Sequence, residues 1–284
     1  MITIIRLFFS LGAFFLVQSA VDAIAKHKSY RGILILCDQL KNEKDPRALF
    51  GLAKACRIRN AYLRDSLVEF LQRKDLTYRG KAAALESLGF QCDPRDLTYL
   101  LQIVQDKNEI GLHSIIRSGA LRALGRHRSM EGFKYLMTRL PLGLEPERAR
   151  AAIIDGLAAS AGWQERRYLK EVIEVISDSL RDTNLNVRWS CASALVQLEA
   201  TEKATELERS KPNFAEQDWP YLERKVHTLR TSSPNDKCKE LQKNIEDLET
   251  KLKKLEDKIS EREAKEKAEK QKVDVISSET KNEI

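Results

Sequence analysis

The sequence predicts an all-α chain: an α-solenoid of stacked two-helix hairpins followed by a short coiled-coil helix. Three observations point there. Hydrophobic residues make up 42% and charged residues 32% of the 284, with aromatics at only 7%. The apolar content is carried by Leu, Ala and Ile rather than by the β-branched and aromatic residues that favour strands. Five segments repeat one pattern at a spacing in the thirties, the period of stacked helical hairpins. A leucine-rich heptad pattern then occupies the tail. A chain of this length can bury a substantial core.

Each repeated segment opens on a basic residue, continues with small and apolar residues, and places Leu and then a small residue about eight positions on. The segments are 47–55 (RALFGLAKA), 81–89 (KAAALESLG), 117–125 (RSGALRALG), 150–158 (RAAIIDGLA) and 188–196 (RWSCASALV). Arg47, Lys81, Arg117, Arg150 and Arg188 are thus separated by 34, 36, 33 and 38 residues. Within each segment the apolar residues recur three and four apart, which makes one stripe on a helix. Many of them are Ala or Gly, so a neighbouring helix can approach closely. Upstream of each segment comes a turn, and before that a second apolar helix. In the clearest case Leu169, Val172, Ile173, Ile176 and Leu180 make one face, and Asn184 or Asn186 caps the helix that follows. The same alternation predicts helices from Leu97 to Val104 and from Leu112 to Gly125, then from Phe133 to Leu140 and from Ala149 to Ala158. Pro46, Pro94, Pro141 and Pro146 fall in the turns between helices.

The run 186–195 (NVRWSCASAL) resembles the signature of the HEAT family, which places Val-Arg ahead of an Ala-rich, Leu-containing stretch on the second helix of each hairpin. The resemblance covers about residues 17 to 200. In that family the Arg commonly pairs with an Asp or a backbone carbonyl of the neighbouring repeat. The resemblance therefore implies that Arg47, Lys81, Arg117, Arg150 and Arg188 form a structural ladder rather than a ligand-binding row. It also implies a protein partner along the solenoid. The formal charge of +7 lies on the repeats, because the last 49 residues hold 13 Lys+Arg against 14 Asp+Glu. No Lys/Arg cluster is interleaved with aromatics, so a nucleic-acid partner is not expected.

Residues 1–26 form a hydrophobic segment with two competing readings. Arg6, the apolar stretch from Leu7 to Val17 and the small residues Ser19, Ala20 and Ala23 fit a secretory signal peptide over about 1–23. Alternatively, 17–25 (VQSAVDAIA) stands 30 residues before Arg47 and in register with the repeats, as the second helix of a hairpin whose first helix is missing. That reading expects the chain to be part of a longer protein. Firm membrane association is not expected, since Gln18 and Asp22 interrupt the apolar stretch. The five cysteines are odd in number and form no CxxC pair, which favours a reducing compartment and cytoplasmic location, with secretion as the alternative.

The solenoid is expected over 27–230, with 231–235 as a linker, 236–272 as the coiled coil and 273–284 as a disordered tail. Cys238, Ile245, Leu252 and Ile259 occupy one core position of the heptads, and Leu241, Leu248 and Leu255 the other. In a parallel homodimer Lys251 would face Glu256 of the partner, and Lys258 would face Glu263. A single charged helix held by Asp247–Lys251, Glu249–Lys253 and Glu261–Lys265 pairs competes with that.

No HExxH, Gly-rich phosphate loop, GxSxG or supported Cys–His arrangement is present, and His27, His113, His127 and His227 show no ligand spacing. No cofactor or metal is expected, and the chain is read as a non-catalytic scaffold for protein–protein interaction. His127, at a helix end, reads as a solvated or capping residue. The repeats closing on a Leu229–Arg230 helix and a leucine-rich coiled coil are also similar to the C-terminal region of aminopeptidase N-type zinc metallopeptidases and their non-catalytic relatives. That resemblance implies a catalytic domain upstream, none of whose residues match this sequence. A bilin lyase-like HEAT protein is the third alternative.

Overall fold

Side-chain caps and prolines set most of the helix starts, and the helices then pair as hairpins. The computed structural model describes residues 29–106, 112–141 and 144–231, the side chains of 166 and 167 excepted. Segment 1–26, linker residues 232–235, coiled-coil positions Cys238 to Ile259 and the tail lie outside the described residues. The chain divides into two units, 1–230 and 231–284. Among the described residues there is no strand.

The first helices of the hairpins are α1 (Tyr30–Asn42), α3 (Ala61–Leu71), α5 (Leu97–Gln105), α7 (Met130–Arg139) and α9 (Arg166–Asp178). Their partners, the second helices, are α2 (Pro46–Ala55), α4 (Tyr78–Gln91), α6 (His113–Arg126), α8 (Glu147–Ser160) and α10 (Leu185–Gln197). Short α11 (Ala204–Arg209) and α12 (Trp219–Thr231) follow. The all-α solenoid is therefore observed.

At several helix starts the orphan amides are taken by side-chain oxygens. Ser29 accepts from Gly32 N at 3.1 Å, Thr77 from Gly80 N at 3.0 Å and Ser129 from Gly132 N at 3.1 Å. Asn60 Oδ1 accepts from both Tyr62 N and Leu63 N. Of the two asparagines expected to cap α10, Asn184 does so, accepting from Asn186 N at 2.9 Å. Pro46 begins α2, where a missing N–H costs nothing.

Two hydrophobic cores result. One is built on α1 to α4 around Leu36, Leu49, Leu63, Leu67 and Phe70. The other runs from α5 to α12 through Leu100, Leu124, Ile153, Val172, Leu195 and Leu229. Helix α4 belongs to both: Ala83, Ala84 and Leu88 face the first, and Leu85 the second. On α9, Val172, Ile173 and Ile176 are buried as their spacing predicts, Leu180 is buried in the 3-10 turn just past it, and Leu169 is half-buried. Truncating such a Leu to Ala costs about 2–5 kcal/mol.

Candidate functional site

The second helices stack on one another in an inner row, α2 on α4, α4 on α6, α6 on α8 and α8 on α10. Glycine makes the two middle steps short. A Cβ on Gly89 would fall inside the backbone of Ala123, and one on Gly119 inside that of Ala82. A Cβ on Gly125 would likewise overlap the backbone of Gly156. The helices there meet backbone to backbone, and no larger side chain fits without forcing them apart.

The exposed side of this row is a groove. One cavity of about 430 Å³ lies over α2, α4, α6 and the start of α8, and a second of about 420 Å³ continues over α8 and α10. They meet at Arg122 and Arg148, which line both. The lining follows the repeat. Counted from the basic residue that opens each segment, position −2 supplies Arg79, Ile115, Arg148 and Asn186. Position +1 supplies Ala82, Ser118, Ala151 and Trp189, and position +5 supplies Glu86, Arg122, Asp155 and Ser193. Offsets of three and four put these residues on one helix face. Lys225 of α12 extends it, donating to Ser193 Oγ at 3.1 Å.

Charges in the groove are partly matched. Glu86 takes Arg57 at 2.7 Å and Arg126 at 2.9 Å, and both guanidinium groups lie over the Phe90 ring, at 5.6 and 5.1 Å. Asp155 takes Arg122 at 2.8 Å, and Arg148 donates to Ser114 Oγ at 2.7 Å.

At the N-terminal ends of the second helices, arginines link one repeat to the next. Arg117 donates to Val104 O at 2.7 Å and grips Glu145, at 2.8 and 2.9 Å, in the turn before α8. Arg150 donates to Glu145 O at 2.6 Å and to both oxygens of Asp182, at 2.7 and 2.9 Å. Arg188 then donates to Asp182 O at 2.5 Å and Thr183 O at 2.9 Å. The side chains of Glu145 and Asp182 are 2% and 1% exposed, so both charges are desolvated and rely on their partners. Burial alone would raise both carboxyls. For Glu145 the hydrogen bonds from Arg117 and Arg139 outweigh it, and for Asp182 those from Arg150 and the Asn184 amide do, so both titrate below their ordinary values.

Besides the Arg57–Glu86–Arg126 contacts, uncharged groups join the C-terminal ends. Gln91 Nε2 donates to Cys56 O at 3.1 Å and Ile58 O at 2.9 Å, while its Oε1 accepts from Asn60 N at 2.9 Å. His127 Nε2 lies 2.7 Å from Asp93 O, and Trp163 Nε1 donates to Gly125 O at 3.0 Å. His127 stands at the C-cap of α6, as one of its two expected roles has it, but the solvated role is corrected: it is buried at 4% exposure and joins two repeats. Cys92, Arg128 and Glu199, just past α4, α6 and α10, hold positive φ of 54°, 61° and 55°.

Of the five basic residues singled out by the repeat, the structure brings Arg117, Arg150 and Arg188 into one chain of contacts. Arg47 is exposed, pairs with Asp45 at 3.5 Å and stands outside that chain. Aligning the helices by Ser87 Oγ, which bonds Ala53 O, and by the groove residues puts buried Leu49, two residues on, at the equivalent place. Lys81 is half-buried and stands outside that chain. The carboxylates, Gln91 and Trp163 were not among the expected residues, and His127 was expected only as a solvated or capping side chain. Cys37, Cys56, Cys92 and Cys191 are free thiols, and burial pushes the Cys56 and Cys191 thiols up. Among the described residues no group of three or more His, Cys, Asp or Glu is placed to hold a metal ion, and no helix is long and apolar enough to cross a membrane.

No family model matches the chain, and no curated protein matches it. Among solved structures, human deoxyhypusine hydroxylase in complex with glycerol is similar over 78% of this chain and 99% of that chain, at 16% identity and a TM-score of 0.31. A likeness at that score carries no argument about this chain.

Proposed function

We propose that the chain is a HEAT-type scaffold without chemistry of its own that binds a polypeptide segment along the inner row of helices. One observation carries this reading: side chains from five successive second helices line one continuous groove on a row whose two middle steps are set by the backbone. Stability and recognition are thereby assigned to different residues. Arg117, Arg150 and Arg188 act in this reading as structural links, because their guanidinium groups are spent on buried carboxylates and carbonyls. Exposed groove residues such as Phe50, at 37% exposure, are left for a partner. Solenoids offer surfaces of this kind to extended ligands. The heptads at Cys238 to Ile259 add a parallel homodimer to the proposal, checked by comparing the sedimentation masses of the chain with and without 236–284.

The direct test selects random ten-residue peptides against the full chain and maps the bound peptide by hydrogen exchange. Slowed exchange on α4, α6 and α8 supports the reading. Protection confined to the first helices, or a selection that returns no binder, overturns it.

A further inference from the structure

Charge decides what the groove accepts. Its two cavities are lined by five cations, Lys54, Arg57, Arg79, Arg122 and Arg148, against three carboxylates, Glu86, Glu147 and Asp155. Each carboxylate is already engaged: Glu86 by Arg57 and Arg126, Asp155 by Arg122, and Glu147 by the Asn184 amide at 2.7 Å. Lys54, Arg79 and Arg148 are exposed and have no ion-pair partner among the described residues. They project from α2, α4 and α8. Between them α6 presents Ile115 and Ser118, and α2 presents the half-open ring of Phe50.

We infer that the groove takes an acidic, extended polypeptide segment carrying an apolar anchor; this rests on the scaffold reading above. Carboxylates on the segment would meet Lys54, Arg79 and Arg148, whose charge is otherwise balanced only by solvent. An aliphatic or aromatic side chain would cover Phe50 and Ile115. The hydroxyls and amide of Ser190, Ser193 and Asn186 further along suit backbone N–H and C=O groups. Five helices at roughly 8–10 Å spacing give the groove a length of about 30–40 Å, which about ten extended residues span. Nucleic acid fits less well. The two cavities together are lined by two aromatics, Phe50 and Trp189, where base stacking needs several, and three carboxylates would face the phosphates.

The composition of the selected peptides decides. Enrichment in Asp and Glu beside Leu, Ile or Phe is expected, with binding that weakens as salt rises. In fluorescence anisotropy on the full chain, Arg79→Glu and Arg148→Glu should each weaken the best peptide about tenfold, and Arg79→Gln by less. Lys134→Glu, on exposed α7 surface outside the groove, should leave affinity unchanged. Circular dichroism of each variant confirms folding. Neutral or basic peptides that protect the same helices overturn the acidic assignment and leave the scaffold reading standing, whereas an empty selection overturns both. A single-stranded oligonucleotide that displaces the peptide, binds more tightly than it and is lost in Arg79→Glu overturns the polypeptide assignment.

Discussion

The two ends of the inner helices are held by different chemistry. At the N-terminal ends, between α6 and α10, buried guanidinium and carboxylate groups link repeat to repeat: Arg117 to Glu145, Arg150 to Asp182. At the C-terminal ends, between α2 and α8, an amide, an imidazole and an indole reach for backbone oxygens, and a carboxylate there, Glu86, is half-buried between Arg57 and Arg126. Both ends satisfy most of their buried polar groups, which close packing requires. Each leaves a buried nitrogen without a hydrogen-bond partner among the described residues, Arg188 Nε at the first and His127 Nδ1 at the second. They differ in what happens when one partner is lost. A lost carboxylate strands a charge, whereas a lost amide strands only neutral dipoles.

The largest effect should follow Glu145→Ala, which removes the acceptor of both Arg117 and Arg139. About 3–5 kcal/mol of stability should disappear, roughly a 10 °C fall in melting temperature, measured by calorimetry. A loss under about 1 kcal/mol would erase the distinction between the two ends. Asp182→Asn comes next, at about 2–3 kcal/mol near neutral pH, because Asn still offers one oxygen to Arg150. It also carries a pH signature. The Asp182 carboxyl titrates below its ordinary value of 3.8 in the folded chain, so its contribution is present above that value and lost as pH falls through the folded one. The stability gap between Asp182→Asn and the parent should therefore narrow on acidification in urea titrations; a constant gap would show that the carboxylate charge is irrelevant.

At the other end, Gln91→Ala removes three contacts to the preceding repeat and should cost about 2 kcal/mol. The urea midpoint should drop by the same amount at pH 7 and pH 4, since no charge is involved; a pH-dependent loss would break the comparison. The smallest effect is a gain. Arg128 is exposed and held at φ 61°, where Gly is unstrained. Arg128→Gly should stabilise by about 0.5–1 kcal/mol after allowing for the more flexible unfolded chain, and a destabilised variant would show that its side chain contributes contacts.

The helices were legible in the sequence because their apolar residues keep a strict three-and-four spacing that burial then uses. Val172, Ile173 and Ile176 show this on α9. Arg117, Arg150 and Arg188 were legible as a set, but their partners were not. Nothing separates Glu145 and Asp182 from the other acidic residues among 42 until the turns place them. The first repeat misled for a physical reason. Leu49 replaces the basic residue with a buried apolar one, leaving no polar signal, while Arg47 imitates it two positions early from the first turn of α2. The groove was hidden because its positions carry Arg, Ile, Asn, Ala, Ser and Trp, so no residue type repeats although the geometry does. Gln91 and His127 were hidden because a residue reaching a carbonyl 33 to 35 positions back has no local signature.

The contact of Gly89 with Ala123 and of Gly125 with Gly156 gives the middle of the row a ruler whose marks are backbone atoms. Residues one or two places away point into the groove and take no part in that measurement. Their identity can drift, swapping one recognised partner for another, while the pitch at which the partner is read stays the same.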